Sequence, residues 1–222
     1  MIDAEAGGGR VDITVREQER SRISKLQILD AAVRVLVDSG YSGATTLAIQ
    51  KAAGVSRGRL LHHFPSRDGL LVAAVHHLAA ERVRHLGSRT DWPAEEHARI
   101  AAAVRTMWMT YQQPYFWASM ELWLAARSNA RLRAALVPEE HVMGAMVRSA
   151  TDNFFGSALA ATPGYAAVRE TLNTSMRGVA LTYAVEPREP LQDPHLAEWI
   201  AFARRMLIPE EAQPIPAAER DR

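Results

Sequence analysis

The sequence predicts an all-α fold in which a small N-terminal domain of three helices precedes a larger helical domain. Two observations lead to this prediction: apolar residues recur at intervals of three and four along much of the 222-residue chain, and no segment shows the sustained two-residue alternation of a strand. We expect residues 1–20 to be a disordered arm, 21–66 the small domain, 67–208 the larger domain and 209–222 a frayed tail.

The first two helices are predicted from their apolar spacing and their end signals. Over residues 21–37 the apolar side chains fall on one helical face, and Gly40 is expected to end that helix in a left-handed conformation. Thr45 and Thr46 then offer hydroxyl groups that can cap a second helix over Leu47–Ala53.

A turn beginning at Gly54 separates this helix from a third one, which Ser56 caps and which runs to Phe64. The break at Pro65 precedes a fourth helix over residues 67–87, which is expected to link the two domains. The apolar residues expected to form the core of the small domain are Ile49, Ala52, Ala53, Val55, Leu60 and Phe64.

In the remainder of the chain, helix starts are predicted at prolines, because proline lacks the N–H group that the first helical turn leaves unbonded anyway. The prolines in question are Pro93, Pro114, Pro138, Pro163 and Pro194. Asp91, Thr162 and Asp193 precede three of them as candidate capping residues. The predicted helices span residues 94–112, 114–128, 138–161, 163–185 and 194–208.

Composition excludes some classes of protein and hides a difference between the two parts of the chain. There is no cysteine, which rules out disulfides, thiolate nucleophiles and iron–sulfur clusters. The formal net charge is only +1, but residues 1–90 hold 13 basic against 9 acidic residues and residues 91–222 hold 13 against 16. Residues 45–67 contain four cations and two histidines but no carboxylate, although such a cluster can also be a merely solvated face.

This basic segment has the pattern of two helices joined by a tight turn, which lets the second helix enter the major groove of DNA. With the small core packed inside, the third helix presents a basic outer face of Arg57, Gly58, Arg59, His62 and His63. Arginine can bond bidentately to guanine, and glycine, which weakens a helix by about 1 kcal/mol, suits a close approach to DNA.

The run from Thr45 to Arg67, which reads TTLAIQKAAGVSRGRLLHHFPSR, closely resembles the N-terminal signature of the tetracycline-repressor (TetR) family of bacterial regulators. The resemblance implies a homodimeric repressor whose N-terminal helices bind double-stranded DNA at a palindromic operator, and whose C-terminal helices bind a small-molecule inducer. Two positions depart from the family pattern, since Leu61 stands where tyrosine is usual and Arg59 where threonine is commoner.

The resemblance also implies roles for individual residues. Thr46 would hold a phosphate, Arg57, Gly58 and Arg59 would face bases, His62 and His63 would lie along the backbone of the DNA, and Arg67 would clamp a phosphate. The predicted DNA contacts are Thr45, Thr46, Lys51, Ser56, Arg57, Gly58, Arg59, His62, His63 and Arg67.

A second cluster, rich in aromatic residues and methionine, lies between Met107 and Trp123. It suits either a packed core or the lining of an adaptable apolar pocket, with Glu121, Arg127, His141 or Asn153 as polar contacts. The predicted ligand-binding residues are Trp108, Phe116, Trp117, Met120, Glu121, Trp123, Arg127 and Phe154.

Apolar stripes on the last two helices suit either core packing or pairing with a second copy of the chain. In proteins that resemble this one, the last two helices form a four-helix bundle with their copies, and we expect dimerisation here. The predicted dimer-interface residues are Leu172, Met176, Val179, Tyr183, Trp199, Ala203 and Met206.

Other classes of protein find less support. The sequence lacks the common nucleotide-binding, hydrolase and metalloprotease motifs, so we predict no enzymatic activity, no cofactor and no metal. No apolar stretch approaches the length of about 18–20 residues that spans a membrane, and we expect a cytoplasmic, nucleoid-associated protein. The remaining alternative is a helical ligand-binding protein whose specific DNA binding is weak or lost.

Overall fold

A computed structural model describes residues 8–208, with side chains from residue 18 onward, and over this range the chain forms ten α-helices and no strand. A short 3₁₀ turn, Pro190–Gln192, precedes the last helix. The helices are α1 (Gly8–Gly43), α2 (Thr46–Ala53), α3 (Arg57–His63), α4 (Arg67–Gly87), α5 (Glu96–Thr110), α6 (Pro114–Ala126), α7 (Ala130–Phe155), α8 (Ser157–Ala160), α9 (Tyr165–Thr182) and α10 (Pro194–Leu207). The predicted all-α class is confirmed.

Helix α1 is longer than predicted at both ends. It begins at Gly8, so residues 8–20 are helical where a disordered arm was expected; residues 1–7 and the predicted tail lie outside the described residues. Gly40 interrupts α1 with φ 66° and ψ 177°, which confirms a break there, although this ψ is extended and not that of a left-handed helix. One further turn follows, closed by a bond from the Ala44 N–H to the Gly40 carbonyl at 3.1 Å.

The predicted caps of α2 and α3 are confirmed. The hydroxyl of Thr45 accepts a hydrogen bond from the N–H of Ala48 at 3.1 Å, and that of Ser56 accepts one from the N–H of Arg59 at 3.2 Å. Gly54 ends α2 in the left-handed conformation, with φ 65° and ψ 29°. Local sequence therefore determines both ends of the turn between α2 and α3.

The prolines were a weaker guide to the later helices. Pro114 and Pro194 do begin α6 and α10. Pro138 instead lies inside α7, which begins at Ala130; Pro138 and Ala134 are both exposed, so water can reach the carbonyl that proline leaves unbonded.

Two of the predicted caps are also wrong. The carboxylate of Glu95, rather than that of Asp91, caps α5 by accepting the N–H groups of His97 and Ala98, and these bonds lower the pKa of Glu95. Helix α9 begins after Gly164 with no side-chain cap, so Thr162 does not serve as one.

The chain divides into two compact units, each with its own core. The first contains the described chain up to Val83 together with Gln113–Met146, and the second contains Arg84–Gln112 and the described chain from Val147 onward. This division differs from the predicted boundary at residue 67 because α6 packs against α1. The chain passes from one unit to the other within α4 and within α7.

The first unit has a continuous apolar core drawn from α1 to α4, α6 and α7. Ile49 and Leu60, which hold α2 and α3 against this core, are 0% and 1% exposed. Ala52, which was expected in the core, is exposed instead. Burial of Ile49 and Leu60 fixes which face of each helix is left outside.

The second unit is built around Trp108, which is fully buried. Its ring lies 5.6 Å from that of Tyr183 and 5.0 Å from that of Trp199, and its Nε1 donates to the carbonyl of Pro190 at 2.7 Å. Within the described part of the chain, no helix is long and apolar enough to cross a membrane.

Asp193 joins this core to the start of α10 and caps the helix as predicted. Its carboxylate accepts the Tyr183 hydroxyl at 2.7 Å and the N–H of His195 at 2.9 Å. Burial by itself would raise the pKa of Asp193, but the hydrogen bonds from Tyr183 and His195 hold it below its usual range. The side chain is therefore an ionised, buried acceptor at neutral pH.

Candidate nucleic-acid interface

The outer face of α3 is the strongest candidate for a functional surface in the first unit. Arg57, Gly58, Arg59 and His62 are all exposed, as the burial of Leu60 requires, and His63 is half-buried. The structure therefore brings together on one short helix the residues that the sequence predicted for base and backbone contact.

The neighbouring polar residues lie around the ends of α2 and α3. Thr45, Lys51 and Ser56 are exposed, and Thr46 is half-buried. The hydroxyls of Thr45 and Ser56 already accept cap bonds but keep their hydrogens, so both can still donate to an anion. Capping and phosphate binding are thus compatible at these two residues.

The arginines rather than His63 supply charge to this face. Partial burial lowers the pKa of His63, and the positive charges of His62, Lys25 and Arg59 lower it further. The His63 ring is therefore neutral near pH 7 and can offer a hydrogen bond but no net charge. No carboxylate occurs between residues 45 and 67 to offset the cations.

Gly58 has no role inside the protein that requires glycine. Its backbone φ is not in the positive range, and beyond its chain neighbours and the backbone of its own helix a Cβ atom built on it would meet no atom within 4 Å. Because glycine lowers helix stability by about 1 kcal/mol relative to alanine, an external reason for its presence is expected. Close approach of a partner to the helix backbone is such a reason.

Arg67 differs from its predicted role as a phosphate clamp. Its Nε donates to the carbonyl of Ala44 at 2.8 Å, one Nη donates to the carbonyl of Tyr41, and the guanidinium lies 4.2 Å from the centre of the Tyr41 ring. These carbonyls belong to the end of α1, where helical acceptors lack partners and a cation is favourable. Arg67 is therefore bonded within the protein and joins α4 to α1.

Glu121 likewise has a different place from the one predicted. The break at Gly40 deprives the Tyr41 N–H of its helical acceptor, and the Glu121 carboxylate from α6 accepts it at 2.9 Å. The Tyr41 hydroxyl donates to Asp68 at 2.8 Å and accepts from Asn129 at 3.0 Å. Glu121 therefore joins α6 to α1, and it lines an open cleft of about 540 Å³ together with Tyr41 and Asn129 rather than with the aromatic side chains of α6.

Other residues predicted to bind a ligand lie on α6. Phe116 and Met120 are buried, Trp117 is half-buried with its ring 5.2 Å from that of Phe116, and Trp123 is 36% exposed. Arg127, just after the helix, is exposed. The side chains on α6 thus range from buried to exposed and do not form a single lining.

Trp108 and Phe154 belong to the second unit and are core residues there. Phe154 is 3% exposed, its ring lies 5.2 Å from that of Trp92, and its carbonyl accepts from Arg99 at 2.7 Å. Both side chains are buried in contacts within the second unit, which favours the packed-core alternative for these two positions.

Most of the predicted dimer-interface residues are also internal. Val179 is half-buried and Met206 is 49% exposed. The other five, each at most 8% exposed, are Leu172, Met176, Tyr183, Trp199 and Ala203. Residues buried in a single chain have no surface to offer a partner, so the apolar stripes that the sequence showed face the core of the second unit.

Sequence reasoning missed Tyr41, Asp68 and Asn129, which surround the break in α1. Asn129 carried a signal, since its side chain accepts the N–H of Leu132 and so marks the start of α7. Tyr41 and Asp68 carried none, because their partners are distant in sequence.

Residues 28–74 match the family described as bacterial regulatory proteins, tetR family. The HTH-type transcriptional regulator BetI of Burkholderia thailandensis is 32% identical over 126 residues, which cover 54% of this chain and 61% of BetI. The HTH-type transcriptional repressor AcnR of Corynebacterium glutamicum is 26% identical over 136 residues, or 61% of this chain and 68% of AcnR. The chain thus spans only about three-fifths of the length of BetI.

Solved structures share the fold. A TetR-family transcriptional regulator from Rhodococcus sp. superposes with a TM-score of 0.59 at 20% identity, covering 81% of this chain and 98% of that one. The multidrug binding protein EbrR, solved in complex with ethidium, does so with a TM-score of 0.56 at 20% identity, covering 83% of this chain and 98% of that one.

The capped pair α2 and α3, with a buried inner and a cationic outer face, defines a helix-turn-helix protein. The part of the chain that contains this motif, residues 28–74, matches the tetR family of bacterial regulatory proteins, and the helical fold is shared with solved regulators of that family.

Proposed function

We propose that this protein is a ligand-responsive DNA-binding transcriptional regulator that acts as a repressor. It binds a palindromic operator through α3 and is released when a small, apolar molecule binds the C-terminal helices. The observation that carries the proposal is the exposed, carboxylate-free cationic face of α3 on a capped helix-turn-helix. Its partner, chromosomal DNA, would place it in the cytoplasm at the nucleoid.

In this proposal the outer face divides its contacts between bases and phosphates. Arg57 and Arg59 have the exposure and the bidentate donors that reading guanine requires. Thr46, Lys51 and His62 would contact phosphates, aided by the hydroxyls that cap the two helices. Arg67 is left out of this set because its guanidinium is bonded to α1.

For the ligand, the best support is the set of partly exposed aromatic side chains on α6, Tyr115, Trp117 and Trp123, together with the ethidium complex of EbrR. Bound ligand would favour a conformation in which α4 is tilted. The tilt would move the α3 helices of the two copies away from the spacing of about 34–36 Å that adjacent major grooves require. Because the side chains offered by α6 are aromatic, the inducer would be an apolar, aromatic molecule.

A homodimer would form through the exposed faces of α9 and α10, which replace the buried stripes first predicted. Gly178 lies at the centre of the exposed face of α9, with Thr174 and Leu181 beside it, and Ala197 and Ala201 lie on that of α10, where Glu198 and Arg205 are exposed as well. Gly178 and the two alanines allow close approach of a second copy, and a two-fold dimer matches a palindromic operator.

Gly178→Glu is expected to weaken the dimer at least about tenfold, because it places an unpaired carboxylate in the interface. The added side chain has space within the monomer, since a Cβ atom at residue 178 meets nothing within 4 Å. Sedimentation equilibrium measures the change. Ala166→Glu, on the same helix about 120° away, is the matched control; equal dimerisation by both variants would contradict this interface.

Electrophoretic mobility shift with the promoter next to the protein's own gene tests the function as a whole. We expect a discrete complex that survives competitor DNA. Absence of binding, or binding that is equal for every sequence, would favour the second candidate, a helical ligand-binding protein with weak or lost specific DNA binding. The internal bonding of Arg67 is the observation that supports that candidate.

Arg59→Ala is expected to weaken specific binding by about 1–3 kcal/mol and to relax preference at one base pair of each half-site, because a bidentate contact is lost. Competition with operators changed at single base pairs measures both effects. Arg133→Ala, an exposed arginine on α7, should leave affinity and preference unchanged. An unaltered preference in Arg59→Ala would remove that residue from base recognition.

A further inference from the structure

Leu61 is an exposed apolar side chain at the edge of the cationic face of α3, beside Arg57 and Gly58. It is 40% exposed, whereas Leu60, the residue before it, is 1% exposed. The exposed part of the Leu61 side chain cannot hydrogen-bond to a phosphate or to the polar edge of a base. Leu61 is therefore available for contact with an apolar group of a partner that binds this face.

Gly58 is the residue next to Leu61 on the exposed surface of α3. Residues three apart on a helix lie about 60° from each other around the axis, and helical side chains lean over the preceding turn. Leu61 thus lies over the turn that contains Gly58, where glycine leaves the surface without a side chain and a built Cβ would meet no side chain beyond those of its chain neighbours within 4 Å. Gly58 and Leu61 together form a shallow apolar patch, flanked by the exposed Arg57, Arg59 and His62.

The surroundings indicate what this patch contacts. Cations flank the patch, and there is no carboxylate between residues 45 and 67. The face is therefore complementary in charge to the phosphate backbone of DNA. In the major groove, the one apolar group on any base edge is the C5-methyl group of thymine. A helix that approaches closely at Gly58 would bring Leu61 to that depth.

We propose that Leu61, seated beside the bare backbone of Gly58, recognises the methyl group of one thymine in each half-site. Leu61 is then a specificity-determining residue, and the neighbouring arginines read the polar edges of adjacent base pairs. This inference rests on the proposed DNA-binding function and adds to it a base preference that no charged residue supplies.

Deoxyuridine substitution tests the inference directly, because it removes the methyl group and changes nothing else on the base. The full-length protein first selects its operator from random duplexes, and each thymine of the selected site is then replaced singly by deoxyuridine. Fluorescence anisotropy should show one position in each half-site where wild type loses about fourfold in affinity, the value expected for one buried methyl group.

The same series with Leu61→Ala separates the possible outcomes. We expect the fourfold difference between thymine and deoxyuridine to vanish in Leu61→Ala and to persist in the control Leu124→Ala, which truncates a leucine that is 69% exposed on α6. Thermal unfolding of both variants should match wild type. Tight, specific binding with no sensitive thymine, or with equal sensitivity in Leu61→Ala, overturns this inference alone; failure to select any sequence overturns the proposed function with it.

Discussion

Replacing Trp108 by alanine is expected to lower the free energy of unfolding by about 3–5 kcal/mol, which is the usual effect of truncating a buried tryptophan. The side chain is fully buried between Tyr183 and Trp199. Its removal leaves a cavity and also deprives the Pro190 carbonyl of its donor. Chemical denaturation followed by circular dichroism measures the loss.

Trp123→Ala is the matched control, because Trp123 is 36% exposed and its truncation should cost much less. The comparison also separates the two alternatives for the aromatic cluster. If Trp108 belonged to a ligand pocket rather than to the core, its truncation would alter inducer response at nearly unchanged stability. A loss below about 1 kcal/mol in Trp108→Ala would contradict the core assignment.

Features that depend on neighbours in sequence could be predicted. Thr45, Ser56 and Asp193 cap their helices by accepting N–H groups two or three residues ahead, so composition and spacing suffice to locate them. The bounds of α4, Arg67–Gly87, agree with the prediction for the same reason, since a break at Pro65 precedes it.

The choice between two faces of a helix could not be predicted in the same way. Helix α9 carries an apolar stripe that includes Leu172 and Met176, and another face of small residues that includes Gly178. An apolar stripe is equally suited to a core and to a partner, and only the packing of α9 against α5 and α10 shows that the stripe is internal.

Contacts between distant residues carried still less signal. Glu121 and Tyr41 are 80 residues apart, and their bond depends on a break in α1 that exposes one N–H group opposite α6. The charge of Glu121 suggested a ligand contact because nothing local indicated that acceptor role. Arg67 and Tyr41, 26 residues apart, present the same difficulty.

Arg67→Ala is expected to lower the free energy of unfolding by about 2–3 kcal/mol, because two carbonyls at the end of α1 lose a charged donor. The first turn of α4 would then separate from α1, and DNA affinity would fall because α2 and α3 are held less rigidly. Thermal and chemical unfolding, together with anisotropy titrations over a series of salt concentrations, measure both effects.

The salt series distinguishes this anchoring role from a phosphate clamp. A residue that contacts phosphate changes the dependence of log affinity on log salt by about one unit when it is removed, and it leaves stability unchanged. Because the guanidinium of Arg67 is bonded to α1, we expect an unchanged salt slope and a lower stability. Arg82→Ala, an exposed arginine on the same helix, should change neither quantity. A reduced slope at full stability would restore Arg67 to the DNA interface, and the bonds to Tyr41 and Ala44 would then have to exchange for a phosphate on binding.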